Sequence, residues 1–84
     1  MNTSIEISYY PLNDAYIPPI KSFIDRLNTY DNIKTITNGM STQVFGQFDD
    51  VMQAVTCEIK KSFELPHSIF ILKIVNADLA KIPS

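Results

Sequence analysis

Polar and apolar residues alternate from the start of the chain. Ile5, Ile7 and Tyr9 fall on one side of an extended backbone, and Glu6, Ser8 and Tyr10 on the other. This period of two predicts a strand over 4–10 with one clearly buried face. Pro11 and Asn13-Asp14 end it, and Asp14 is placed to cap the next segment. The period then changes. Ile17, Ile20, Phe23, Ile24 and Leu27 recur at helical spacing and make an apolar stripe. Pro18 and Pro19 fit its first turn, where a missing N–H costs little. The polar run 28–32 closes this helix. Ile33 to Thr37 is a β-branched run, polar enough for an edge strand. Asn38-Gly39 is a hairpin signal of the type I′ kind, which needs positive φ at both central residues.

Residues 41–48 are then the antiparallel partner strand, with Gly46 marking a bulge or a close backbone approach. Asp49 is the expected N-cap of a second helix. Val51, Ala54, Val55, Ile59 and Phe63 form its expected buried stripe, with Glu58 and Ser62 toward the margin. Lys60 and Lys61 suit the dipole of its last turn, and Pro66 stops it. Residues 68–75 are apolar on both faces until Lys73, the signature of a strand with cover on both sides. Residues 76–84 read as a tail. Leu79 and Ile82 are its apolar side chains, with no place assigned to them.

The order strand–helix–strand–strand–helix–strand is the split βαβ, or ferredoxin-like, pattern of an α+β domain. Right-handed crossovers put both helices on one sheet face, with strand order 4-1-3-2. The first strand then lies beside the third, running antiparallel. The end of one (Ser8, Tyr10) meets the start of the other (Ser41, Thr42). The opposite sheet face is left open. Either Phe70, Leu72 and Ile74 or Ile69 and Ile71 must face that side, so sheet-to-sheet packing in a homo-oligomer is expected to cover it.

Length and composition narrow the function. The 84 residues allow one domain, 1–84, of marginal stability as a monomer. The net charge of -2, with no basic run, argues against a nucleic-acid partner. RNA binding on this fold calls for exposed aromatics together with basic residues. Tyr10 and Phe45 are present, but the basic residues are missing. The single Cys57 forbids an internal disulfide and a thiolate metal cluster within one chain. It falls beside the second helical stripe and reads as a partly buried, inert thiol. No leader pattern and no apolar run near the ~20 residues of a membrane span is seen, so the expected location is the cytoplasm, without membrane contact.

Candidate chemistry is sparse. His67, the sole histidine, lies in a loop without companions and reads as solvated rather than metal-bound. Asp49 and Asp50 are explained by capping and dipole compensation. No glycine-rich phosphate loop exists, because Gly39 and Gly46 start no such pattern. An acylphosphatase-like site would need an Arg in an anion-cradling loop, and the only arginine, Arg26, falls on the first helix. No cofactor and no catalytic residue is expected. One polar cluster is left: Ser8 and Tyr10 end the first strand, and Asn38, Ser41 and Thr42 surround the adjoining hairpin. Such a cluster holds a flat heteroaromatic ring by stacking and by edge hydrogen bonds. It also reads as ordinary strand-end polarity, and on physical grounds alone that plainer reading is favoured.

Longer motifs bear on this choice. Tyr10-Pro11-Leu12, then Tyr16-Ile17-Pro18-Pro19-Ile20, then Met40 to Gly46 leading into Asp49-Asp50-Val51-Met52, resemble the YkoF-type family over about residues 4–76. The resemblance implies a ferredoxin-like domain that binds thiamine or its hydroxymethylpyrimidine moiety without catalysis, in salvage, transport or sensing. It further implies a single-domain chain assembling as a homodimer or homotetramer. The positions matching the family's polar and aromatic pocket are Ser8, Tyr10, Ser41 and Thr42, with Asn38 and Met40 beside them. Leu12-Asn13 stands where relatives often have Leu-Gly. A cationic thiazolium would favour a nearby carboxylate, for which Glu6 is the candidate. The competing expectation is a structural or regulatory oligomerisation module with no small-molecule ligand.

Overall fold

The alternating first segment forms β1, Asn2–Pro11, and the first helical stripe forms α1, Ile17–Leu27. The hairpin is β2, Ile33–Thr37, with β3, Thr42–Gln47. The chain continues through α2, Phe48–Ser62, and β4, Ser68–Val75, to a short 3-10 turn at Leu79–Lys81. The structure, a computed structural model, describes residues 1–81; Ile82 lies outside the described residues.

The sheet order is β2-β3-β1-β4, with every neighbouring pair antiparallel. This is the expected 4-1-3-2 order read from the other edge, so the chain has the α+β ferredoxin-like fold. Ile5 stands opposite Val44 and Ile74, and Ile7 opposite Thr42 and Leu72. These residues face the helices. Ile5, Ile7, Phe23, Leu27, Val44, Val51 and Val55 are the buried core. Each such aliphatic side chain contributes about 1.5–3 kcal/mol on burial. Beside them Tyr9 stacks on Phe70, with ring centroids 4.2 Å apart, and Phe23 meets Tyr9 edge-on at 5.6 Å. Gly46 packs closely, as expected of it: a Cβ there would lie 3.2 Å from Val51 Cγ2 and 3.4 Å from the Asn32 carbonyl oxygen.

The open face carries Ser4, Glu6, Ser8 and Tyr10 of β1, flanked by Gln43 and Phe45 of β3. On the other flank are Ile69, Ile71, Lys73 and Val75 of β4. It is therefore Ile69 and Ile71 that face outward, and both are exposed, while Phe70 and Leu72 pack toward the helices. One end of this face is covered by the chain itself. Ser4 Oγ donates to the Ala77 carbonyl (2.6 Å) and accepts from the Leu79 amide (3.0 Å). Phe45, opposite Ser4, is only 8% exposed.

Several local expectations are corrected. Asp14 does not cap α1. Tyr16 occupies the N-cap without a side-chain bond, and Asn13 Oδ1 accepts from the Ala15 amide instead. Pro18 and Pro19 remove two of the amides a cap would serve. Asp49 does not cap α2 either. Gln47, the last residue of β3, supplies the extended N-cap backbone, and the Met1 carbonyl accepts the Phe48 amide at 2.9 Å. Asp49 and Asp50 sit in the first turn, where negative charge suits the dipole. The β2–β3 turn is not type I′, because no residue there has positive φ. Asn38 closes a wider loop by accepting the Met40 and Ser41 amides on its Oδ1 (2.8 and 3.2 Å). Ser41 and Phe48 fall outside β3. Cys57 is exposed, not partly buried. On α2, Phe63 lies past the helix end and is exposed, whereas Glu58 and Ser62 are buried.

Candidate functional site

β3 starts at Thr42, opposite Ile7. β1 runs on to Pro11 and there pairs with β4 alone. A notch opens on the β3 side of residues 8–11, bounded by the wide hairpin loop and by α1. It forms a cleft of about 210 Å³. Ser8, Tyr10, Asn38, Met40, Ser41 and Thr42 all line it, so the fold brings the six sequence-selected residues together. The sequence did not single out the floor, made by Phe23, Ile20 and Ile24 of α1 with Ile7 and Tyr9. The signal was the apolar stripe of α1, whose Ile20 and Ile24 are only half-buried and flank the core.

The polar groups are already oriented. Asn38 Oδ1 is taken by two backbone amides, and the Asn38 amide donates to the Ser41 carbonyl at 3.1 Å. Thr37 and Thr42 share a hydroxyl–hydroxyl bond of 3.1 Å. Ser41 Oγ donates to Glu6 Oε2 at 3.1 Å, and Glu6 Oε1 lies 3.6 Å from Lys73 Nζ. Glu6 does not line the cleft, so the carboxylate considered as a partner for a cation stands behind Ser41 on the open face. In an antiparallel strand successive residues turn their N–H and C=O to alternate sides. At least one of Ser8, Tyr9 and Tyr10 therefore offers both backbone groups toward the notch. No charged side chain lines the cleft. Met40, 89% exposed, overhangs its mouth.

A larger hollow of about 440 Å³ lies on the open sheet face between Phe45, Val75 and Leu79, beside Gln43 and the Glu6–Lys73 pair. It lacks the convergent strand-end polar groups of the first cleft and belongs to the apolar surface of that face.

The strongest electrostatic feature lies elsewhere, in the seam between the helices. The Glu58 side chain is 3% exposed. Its Oε1 accepts from Arg26 Nε at 2.7 Å and its Oε2 from the Tyr30 hydroxyl at 2.6 Å. Arg26 also donates to Ser62 Oγ at 2.9 Å. Burial pushes the Glu58 carboxyl up. The hydrogen bonds from Tyr30 and Arg26, with the charges of Lys61 and Arg26, outweigh it and hold the group below its ordinary value. The bond to Glu58, then burial, drives the Tyr30 hydroxyl well above its ordinary value. Through this carboxylate Arg26 of α1 and Tyr30 of the loop after it are tied to α2, and Arg26 adds a bond to Ser62 of the same helix. Among the described residues no group of His, Cys, Asp and Glu side chains is arranged to hold a metal, and no helix is long and apolar enough to cross a membrane.

Fold and cleft together define a ferredoxin-like α+β module with a small, uncharged hollow at one sheet end. No family model and no curated relative matches the chain. Solved structures do. Protein SP2199 of Streptococcus pneumoniae superposes with a TM-score of 0.87 at 21% identity, over 98% of this chain and 93% of that one. A hypothetical protein of Methanocaldococcus jannaschii, MJ1052, gives 0.78 at 24%, over 92% and 81%. A Thermotoga maritima protein, TM0486, provisionally described as a thiamine biosynthesis/salvage protein, gives 0.81 at 16%, over 92% and 85%. At these identities the likeness is one of fold.

Proposed function

We propose that the chain binds thiamine or its hydroxymethylpyrimidine moiety in the strand-end cleft, without catalysis, in salvage, transport or sensing. The observation that carries this reading is that Ser8, Tyr10, Asn38, Met40, Ser41 and Thr42 all line one hollow, whose apolar floor is Ile7, Tyr9, Ile20, Phe23 and Ile24. A volume near 210 Å³ falls below the roughly 300–1,000 Å³ of sites for drug-sized ligands and suits a single ring. The absence of charge in the lining favours the neutral pyrimidine over the cationic thiazolium. The thiamine-related description of the Thermotoga maritima neighbour gives weak, independent support. Calorimetric titration with hydroxymethylpyrimidine and thiamine is the test. Heat and a thermal shift with the pyrimidine are expected, and silence at millimolar ligand removes the proposal.

A second reading is an oligomerisation module without ligand. It is favoured by Tyr10, Ile69 and Ile71 lying exposed on one sheet face. The two readings are compatible: a homodimer or homotetramer packed through this face would leave the strand-end cleft at its margin. Sedimentation of the purified chain tests the assembly, and a stable monomer would refute it.

A further inference from the structure

β4 is an edge strand, and its register shows which of its backbone groups are free. The β1–β4 pairing runs without a bulge from Ser4 opposite Val75 to Pro11 opposite Ser68. It continues to Leu12, whose amide donates to the His67 carbonyl at 2.9 Å. Along an antiparallel strand such bonds alternate sides. Ile69, Ile71, Lys73 and Val75 therefore exchange bonds with β1, while Ser68, Phe70, Leu72 and Ile74 turn their N–H and C=O to the free edge. No other segment among the described residues bonds there. Sheet edges are normally blunted by shortness, charge, proline or a bulge. β2, at the far edge, has five residues and carries Lys34. β4 has eight, with no proline, no bulge and one charge, Lys73, which lies on the open face 3.6 Å from Glu6. Its flanks are bare as well. On the helix side Ile74 is 50% exposed, although Ile5 opposite it is core, and Phe63, edge-on to Phe70 at 5.7 Å, is exposed. On the open side Ile69 and Ile71 are exposed.

We propose that β4 pairs antiparallel with β4 of a second copy of this chain, about a twofold axis between the two Ile71 residues, joining the two sheets into one. The free groups determine the register. Ser68 of each copy faces Ile74 of the other, and Phe70 faces Leu72, so the four outward residues satisfy one another and need nothing else. The result is about eight hydrogen bonds, within the range of a specific interface. Ile71 meets Ile71, Ile69 meets Lys73, and no like charges stand opposite, so the edge is complementary to itself, as a twofold contact requires. The contact is one strand long, about 27 Å. With side chains on both faces it removes on the order of 1,000 Å² from water in total, the lower bound for a specific interface. The second copy is therefore held reversibly. This surface is distinct from the open face, and its axis is perpendicular to the sheet. A face-to-face contact has its axis in the sheet plane, so the two together close a tetramer. The pairing stands whether or not the cleft holds a ligand.

Amide hydrogen exchange on the native full chain tests this without any variant. The amides of Ser68, Phe70, Leu72 and Ile74 are expected to be protected at about 1 mM protein and to exchange at least about tenfold faster at about 10 µM. A crosslink tests the register. In the full chain carrying Cys57→Ser and Ile71→Cys, the two 71 positions form a non-hydrogen-bonded pair about 4.5 Å apart at Cα, which suits a disulfide. Oxidation is expected to give a covalent dimer, and adding Ile74→Pro to abolish it. That proline removes a donor from the free edge and none of the bonds to β1. Circular dichroism checks that the variant folds, and Ile74→Lys, which puts a charge on the edge, replaces it if it does not. Fast exchange of the four amides at the higher concentration overturns the proposal. A crosslink that survives the Ile74 variants also overturns it and moves the contact to the open face.

Discussion

Replacing Glu58 by alanine removes the acceptor on which the two helices converge. Two hydrogen bonds to an ionised group are lost, at 2.7 Å from Arg26 and 2.6 Å from Tyr30. Each is worth about 1.5–3 kcal/mol. Arg26, whose side chain is 31% exposed, and Tyr30, which is half-buried, recover part of this by turning to water. The net loss expected is about 3 kcal/mol, at the low end of what breaking a buried ion pair costs. In a domain of this size that lowers the midpoint of thermal unfolding by roughly 12–24 °C. Tyr30→Phe removes one bond only and should cost about 1.5–3 kcal/mol. Replacing Arg26 and Glu58 together by methionine should cost less than the two single changes summed, because no charge is left stranded.

The pH dependence has a sign as well. The Glu58 carboxyl is held below its ordinary 4.5 in the folded chain, so its contribution is complete above that pH and is lost as acid titrates the folded state. Tyr30 is raised above its ordinary 10.0, so its contribution is complete below that pH and is lost as alkali rises past it. Denaturant unfolding across pH should show both slopes in the native chain, without the acid one in Glu58→Gln and without the alkaline one in Tyr30→Phe. A loss below about 1 kcal/mol for Glu58→Ala would refute the account, since a surface pair costs no more than that.

Three other changes test other parts of the fold. Thr3 Oγ1 is buried without a partner among the described residues, so Thr3→Val, which keeps the shape, should raise stability by about 1 kcal/mol in chemical denaturation. Gly46→Ala should cost about 1–2 kcal/mol, because the new methyl presses on buried Val51, and a neutral result would mean that Val51 yields freely. On the proposed packing through the exposed sheet face, Ile71→Asp should leave the protomer's own stability nearly unchanged while abolishing any assembly seen in sedimentation of the native chain, and assembly that survives would place the interface elsewhere.

The periodicities of the chain determined its elements and, with crossover handedness, their arrangement. Alternation through Ile5, Ile7 and Tyr9 placed β1, helical spacing from Ile20 to Leu27 placed α1, and the doubly apolar run after Pro66 placed β4. Such patterns are local, and each residue's side follows from its neighbours along the chain. The polar residues at Ser8, Tyr10, Asn38, Ser41 and Thr42 were visible as a set because antiparallel pairing of β1 with β3 brings those ends together. What the tertiary structure alone decided lies where partners come from distant segments. Asp14 and Asp49 had cap chemistry, but α1 begins after Tyr16 and α2 after Gln47, so neither aspartate stands at the N-cap position. Glu58 lay in register with the buried face of α2 at Val51, Val55 and Ser62, yet its burial is tolerable only because Arg26 and Tyr30 arrive from α1 and the loop after it. The cleft likewise needs α1 to floor a gap that two strands of unequal reach leave open, and no window along the chain contains all three.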